Sequence, residues 1–122
     1  MSYYVTETGV PGDRTTIIAR GELDMCAAPA FRDALRRAIE RRVKHVVVDL
    51  TDATFVDSTA IGVLLEASGQ VRATGGRLHL ICTNRHVLRT VEIAGLERHI
   101  AVASTPEEAL QVAGASMTAL KV

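Results

Sequence analysis

Apolar residues follow two different periods along this chain, and the alternation between them lays out the expected fold. Residues 3–8 alternate loosely and are rich in strand formers, and Val10-Pro11-Gly12-Asp13 is turn chemistry. Thr15 to Arg20 reads as a second strand, so the chain is expected to open with an antiparallel hairpin. Gly21-Glu22-Leu23-Asp24 closes that strand and starts a loop. The period then changes: Ala28, Phe31, Ala34, Leu35, Ala38 and Ile39 recur at three- and four-residue steps, the apolar stripe of an amphipathic helix. Pro29 suits its first turn, where a missing N–H costs nothing, and Arg41 and Arg42 suit its C-terminal end.

Val46 to Leu50 is a continuous apolar run, the kind of strand that helices cover on both faces of a parallel sheet. After a short polar loop, Ile61, Leu64, Leu65, Ser68 and Val71 give a second helix its buried stripe, and Gly75-Gly76 can end it in a left-handed cap. Leu78, Leu80 and Ile81 form the next strand. Asn84 is placed to cap a third helix bearing Val87, Leu88 and Val91 and closed by Gly95, and Ile100 to Ala103 is a short strand. Thr105-Pro106-Glu107-Glu108 combines a capping box with proline at the first helical position, so a last helix is expected to about Ala113. The pattern predicts an α/β domain with a mixed, mostly parallel sheet of about five strands and about four helices. One domain accounts for residues 1–122, with a core over about 3–113 and a frayed tail over 114–122.

Composition narrows the function more than the fold. The 122 residues are 48% apolar and carry 14 basic and 14 acidic side chains, for a formal net charge of zero. Binding to nucleic acid or to an anionic membrane rests on a positive footprint, so neither is expected as a partner. No apolar run approaches the roughly 20 residues of a membrane-spanning helix, and no signal pattern opens the chain, which reads as soluble and cytoplasmic. Cys26 and Cys82 lie far apart and fit two reduced thiols better than a disulfide. Only Lys44 and Lys121 are lysines, which removes most candidates for a catalytic amine.

Enzyme templates fail along the whole chain. Neither phosphate-cradling glycine motif is present, so no cofactor is expected. His45, His79, His86 and His99 have no metal-ligand spacing and read as surface or strand-end residues, and no metal is expected. Asp49 stands where a phospho-acceptor aspartate would stand, but no lysine follows near a later strand end, so it reads as structural. What remains is the corner Asp57-Ser58-Thr59, a loop leading into the second helix. Asp57 or Ser58 is most simply an N-cap; the functional alternative is phosphorylation of a hydroxyl at the positive end of the helix dipole.

At these residues the chain resembles the STAS domain, in particular the bacterial anti-sigma factor antagonists. Gly21-Glu22-Leu23-Asp24 followed by Ala28-Pro29 is similar to the family's G-E-[LI]-D loop and first helix. Val48-Asp49-Leu50-Thr51 with Phe55-Val56-Asp57-Ser58 is similar to its D-L-S-x-V-x-F-[ML]-D-S signature, and Ala60 to Leu65 continue as in members. Ala60 stands where many members have glycine. Ala27 replaces a common Thr or Ser, so the first helix is expected to lack a side-chain cap. The resemblance implies a non-enzymatic antagonist that binds an anti-sigma factor serine kinase and thereby frees a sigma factor. It implies inactivation by phosphorylation at Ser58, with Thr59 second, and reactivation by a PP2C-type phosphatase. The implied docking residues are Gly21, Glu22, Leu23, Asp24, Asp57, Ser58, Thr59, Ala60 and Ile61. Two other functions fit the residues: a STAS module of another sensory or transport-regulating complex, and a small anion- or nucleotide-binding domain using the same corner.

Overall fold

Strand β1 (Tyr3–Gly9) pairs antiparallel with β2 (Arg14–Leu23), as the alternating start of the chain predicts. The computed structural model describes residues 3–9, 14–104 and 108. The turn at Val10 to Asp13 lies outside these residues. So do the tail over 114–122 and the last helix expected from Thr105 to about Ala113, Glu108 excepted. Next come α1 (Ala28–Glu40), β3 (His45–Asp49), β4 (Ala53–Val56), α2 (Ser58–Ala73), β5 (Arg77–Ile81), α3 (Arg85–Ile93), a 3-10 turn (Leu96–Arg98) and β6 (Ala101–Ala103).

The sheet has six strands, not about five, in the order β1-β2-β3-β5-β6 with β4 beside β2. The sequence hides β4 because its four residues, Ala-Thr-Phe-Val, bury only the first and last and leave Thr54 and Phe55 outside. No period of two can show in so short a segment. The strand exists because β2 runs on past Arg20 to Leu23 and offers it an edge, with Gly21 opposite Ala53, Glu22 opposite Phe55 and Leu23 opposite Val56. A register shift at Gly21/Glu22 bends β2 toward β4, and Gly21 sits at φ +82°, a conformation open to glycine at little cost.

Strand register sorts the side chains onto two faces. Ile17, Ala19, Val46, Val48, Leu78 and Leu80 form a core with Phe31, Ala34, Leu35 and Ala38 of α1 and with Ile61, Leu64, Ala67 and Val71 of α2. The stripe predicted for α1 is buried, with Ile39 only partly so; in the stripe predicted for α2, Ile61, Leu64, Ser68 and Val71 are buried but Leu65 is exposed, and Val63 and Ala67 take its place in the core. Phe31 is fully buried, so its truncation to alanine is worth about 3–5 kcal/mol. Just past the end of α2, Gly75 takes φ +85°, and Gly76 lies so near the segment leading into β3 that a Cβ would meet the Val43 carbonyl oxygen at 2.9 Å.

Strands β2 to β6 run parallel, so their C-terminal ends share one edge of the molecule. Loops at that edge are where ligands and partners meet open α/β sheets. There the fold gathers Gly21 to Asp24, Asp49 to Asp52 and the corner at Asp57.

Candidate switch site at the start of the second helix

Asp57 caps α2. Its backbone is extended (φ −104°, ψ −176°), and its Oδ1 accepts the N–H of Thr59 at 2.9 Å and of Ala60 at 3.2 Å. The Thr59 hydroxyl donates to the same oxygen. Burial raises the Asp57 pKa, but the Thr59 hydroxyl and the backbone N–H groups of Ala60, Thr59 and Met25 outweigh it. The net shift is downward, so the carboxylate stays ionised. Met25 belongs to the loop after β2, so this one carboxylate ties the two halves of the predicted docking face. The Asp57 N–H in turn donates to the Leu23 carbonyl at 3.3 Å.

These bonds separate the neighbouring hydroxyls. Thr59 is held by Asp57, whereas Ser58 is exposed and its hydroxyl makes no hydrogen bond among the described residues. Ser58 is the first helical residue, so its hydroxyl stands at the positive end of the helix dipole with no structural task.

The loop facing the corner is built on Asp24. Its carboxylate accepts from Cys26 N at 3.0 Å and Ala27 N at 3.2 Å, and its carbonyl accepts from Ala27 N and Ala28 N. Ala27 makes no side-chain cap to α1, as expected, and Asp24 supplies the order that a capping hydroxyl would give. Asp49 serves the third loop: its carboxylate accepts the Thr51 N–H at 2.9 Å and the Thr51 hydroxyl, a structural use.

The implied docking residues divide by burial. Glu22, Ser58 and Thr59 are exposed, and Gly21, Asp24 and Asp57 are half-buried. Leu23, Ala60 and Ile61 are buried in the core, beneath the exposed residues of this edge. Sequence reasoning missed two exposed apolar side chains, Met25 at 65% and Phe55 at 48%. Phe55 is unreadable without β4, and Met25 lies in a loop with no period. Around them stand the carboxylates of Glu22, Asp24, Asp52 and Asp57, with Arg20 ion-paired to Asp52 at 3.5 Å across an exposed contact. The zero net charge therefore conceals an acidic edge.

The expectation of surface or strand-end histidines holds for the exposed His86 and His99 and for the place of His45 at the start of β3, but neither His45 nor His79 lies at the surface. His45 and His79 are buried at 5% and 4% exposure, and His45 Nδ1 lies 3.1 Å from His79 Nε2. They meet because β3 and β5 pair in register, with Val47 opposite His79. Both thiols are free, Cys26 exposed and Cys82 buried, and burial pushes the Cys82 thiol up to about 11. Among the described residues no group of three or more His, Cys, Asp or Glu could hold a metal, and no helix is long and apolar enough to cross a membrane.

The family model for the STAS domain matches residues 5–109. The chain belongs to the STAS domain family. The anti-sigma-B factor antagonist of Bacillus subtilis (strain 168) is 30% identical over 91 residues, covering 75% of this chain and 83% of the relative. The anti-sigma F factor antagonist of Paenibacillus polymyxa is 33% identical over 86 residues, or 68% of this chain and 74% of the relative. Among solved structures, the anti-sigma factor antagonist SpoIIAA in its unphosphorylated form superposes with TM-score 0.75 at 25% identity, over 92% of this chain and 97% of that one. The Bacillus SpoIIAA in its phosphorylated form gives TM-score 0.68 at 24% identity, over 90% and 99%. These STAS relatives bear the names of regulators, not of enzymes.

Proposed function

We propose that this STAS domain is a cytoplasmic, non-enzymatic anti-sigma factor antagonist. It binds a serine-kinase anti-sigma factor through the acidic edge around Ser58 and so frees the sigma factor. Phosphorylation of Ser58 by that kinase ends the interaction, and a PP2C-type phosphatase restores it. The observation that carries this reading is the division of labour at the corner. Asp57 takes the cap and engages Thr59, which leaves the Ser58 hydroxyl exposed and uncommitted.

The energetics favour a signal read by the partner. A phosphate on Ser58 gains about 0.3–1 kcal/mol from the helix dipole, and the ionised Asp57 beside it opposes this by like-charge repulsion. The two effects are of similar size, so the domain keeps its fold on modification. That SpoIIAA retains this fold in its phosphorylated form supports the same view. The partner, by contrast, must desolvate the new charge where Met25 and Phe55 make the contact apolar.

Calorimetric titration of the kinase with wild type, Ser58→Ala and Ser58→Asp tests the switch. The alanine variant keeps wild-type affinity, and the aspartate variant loses at least tenfold, which is about 1.4 kcal/mol. Equal affinity for all three proteins refutes the proposal.

A further inference from the structure

We propose that a cavity at the opposite end of the sheet binds a small dianion, a ligand of the phosphate or dicarboxylate type. This site is separate from Ser58. α2 carries Ser58 at its first residue and supplies Ser68 and Arg72 to the cavity from its other half. A helix of its 16 residues spans about 24 Å.

The cavity has a volume of about 380 Å³, within the range of roughly 300–1,000 Å³ for small-ligand sites and too small for a folded partner. Ile100 contributes to an apolar floor, and Arg72 and Arg77 bring cationic groups from two different elements, α2 and β5. Among the described residues neither guanidinium forms an ion pair with a carboxylate, although Glu97 lines the same cavity. Two cations therefore face one carboxylate, and the excess is positive.

The wall is ordered in advance. The His99 carbonyl accepts both the Ser68 hydroxyl at 3.1 Å and an Arg72 N–H at 2.9 Å, with Ser68 itself 5% exposed. Arg72 is thus fixed by one donor while the rest of its fork is available for an oxyanion, which planar guanidinium groups bind in bidentate fashion. Arg77 is anchored through its backbone, whose N–H donates to the Lys44 carbonyl at 2.7 Å, next to the close approach of Gly76 to Val43. The positive field is felt in the sheet as well: after burial and His45, the charges of Arg77 and Arg14 help to lower the pKa of His79.

The test is a titration of the full chain, observed by ¹H–¹⁵N correlation NMR, with inorganic phosphate or succinate at constant ionic strength and with chloride as control. The expected result is saturable shifts confined to residues 68–78 and 97–101 with at least one dianion. Saturation by phosphate alone assigns a phosphoryl ligand, by succinate alone a dicarboxylate, and by both the shared class. Arg77→Ala and Arg72→Ala should each weaken binding at least tenfold, and because Arg72 also bonds to His99, Arg77→Ala is the cleaner variant. Shifts that stay linear, match chloride, centre on the Ser58 corner or survive both substitutions overturn the proposal. The outcome is independent of the Ser58 switch.

Discussion

Substitution of His79 by glutamine should remove most of the acid sensitivity of this domain between pH 7 and pH 5. Burial, then the neighbouring His45, then Arg77 and Arg14, lower the pKa of His79 from 6.5 to about 4. A folded-state pKa below the unfolded one means that the unfolded chain binds the extra proton first. Stability is therefore fully present above the unfolded value and is lost as pH falls toward the folded one. At pH 5 an unfolded histidine is almost wholly charged and the folded one only about a tenth, a difference on the order of 2 kcal/mol; at pH 7 both are mostly neutral and the difference nearly vanishes. The 3.1 Å contact with His45 has the same sense, since it needs a neutral acceptor nitrogen and is lost when both rings are charged. The stability that comes from the lowered pKa of Asp57 is present above the ordinary aspartate value and is lost only as pH falls from there through the lower folded value, beneath this window. Urea unfolding at the two pH values reads the effect. Wild type should lose about 2 kcal/mol on going from pH 7 to pH 5, a midpoint shift of about 1 M, and His79→Gln well under half of that. An equal loss in both proteins would refute the account of the pair.

Three further outcomes follow from particular contacts. Asp57→Ala removes the cap of α2 and should cost about 1–2 kcal/mol in thermal unfolding, with Asp57→Asn restoring most of it because the amide oxygen can still accept. Gly69 and Gly76 should respond in opposite directions to alanine. Gly69 is helical with open space at its Cβ position and should gain up to about 1 kcal/mol, whereas Gly76→Ala meets the Val43 and Lys44 carbonyls and should lose about 1–3 kcal/mol. Replacing Met25 and Phe55 together with alanine should weaken binding of the proposed kinase partner at least tenfold while moving stability by less than about 0.5 kcal/mol, since both side chains are exposed; calorimetry beside a melting curve separates the two readouts.

What the sequence discloses is local. The stripes of α1 and, Leu65 excepted, of α2, the cap at Asn84 and the left-handed glycines at Gly75 and Gly95 all come from interactions within a few residues, and each is present in the structure. What it conceals depends on pairing. β4 is a strand only because β2 overruns Gly21 to meet it, and with β4 hidden the exposed Phe55 cannot be placed. His79 looks like a strand-end residue until the register of β3 against β5 brings it diagonally beside His45, the two buried rings tilted at 41°. At the corner, the residue types alone leave Asp57 and Ser58 equally able to cap. The bonds from the Thr59 and Ala60 N–H groups to Asp57 decide between them, and the Thr59 hydroxyl, bound to the same carboxylate, is engaged as well, which leaves the Ser58 hydroxyl without a structural role.

The most direct measurement of the central claim is incubation of this domain with the anti-sigma factor serine kinase proposed as its partner and ATP, followed by mass-spectrometric mapping of the modified residue. One phosphate on Ser58, abolished by Ser58→Ala and accompanied by release of the kinase, is the predicted result. Phosphate on Thr59 instead, or a Ser58-phosphorylated domain that stays bound with undiminished affinity, would contradict it.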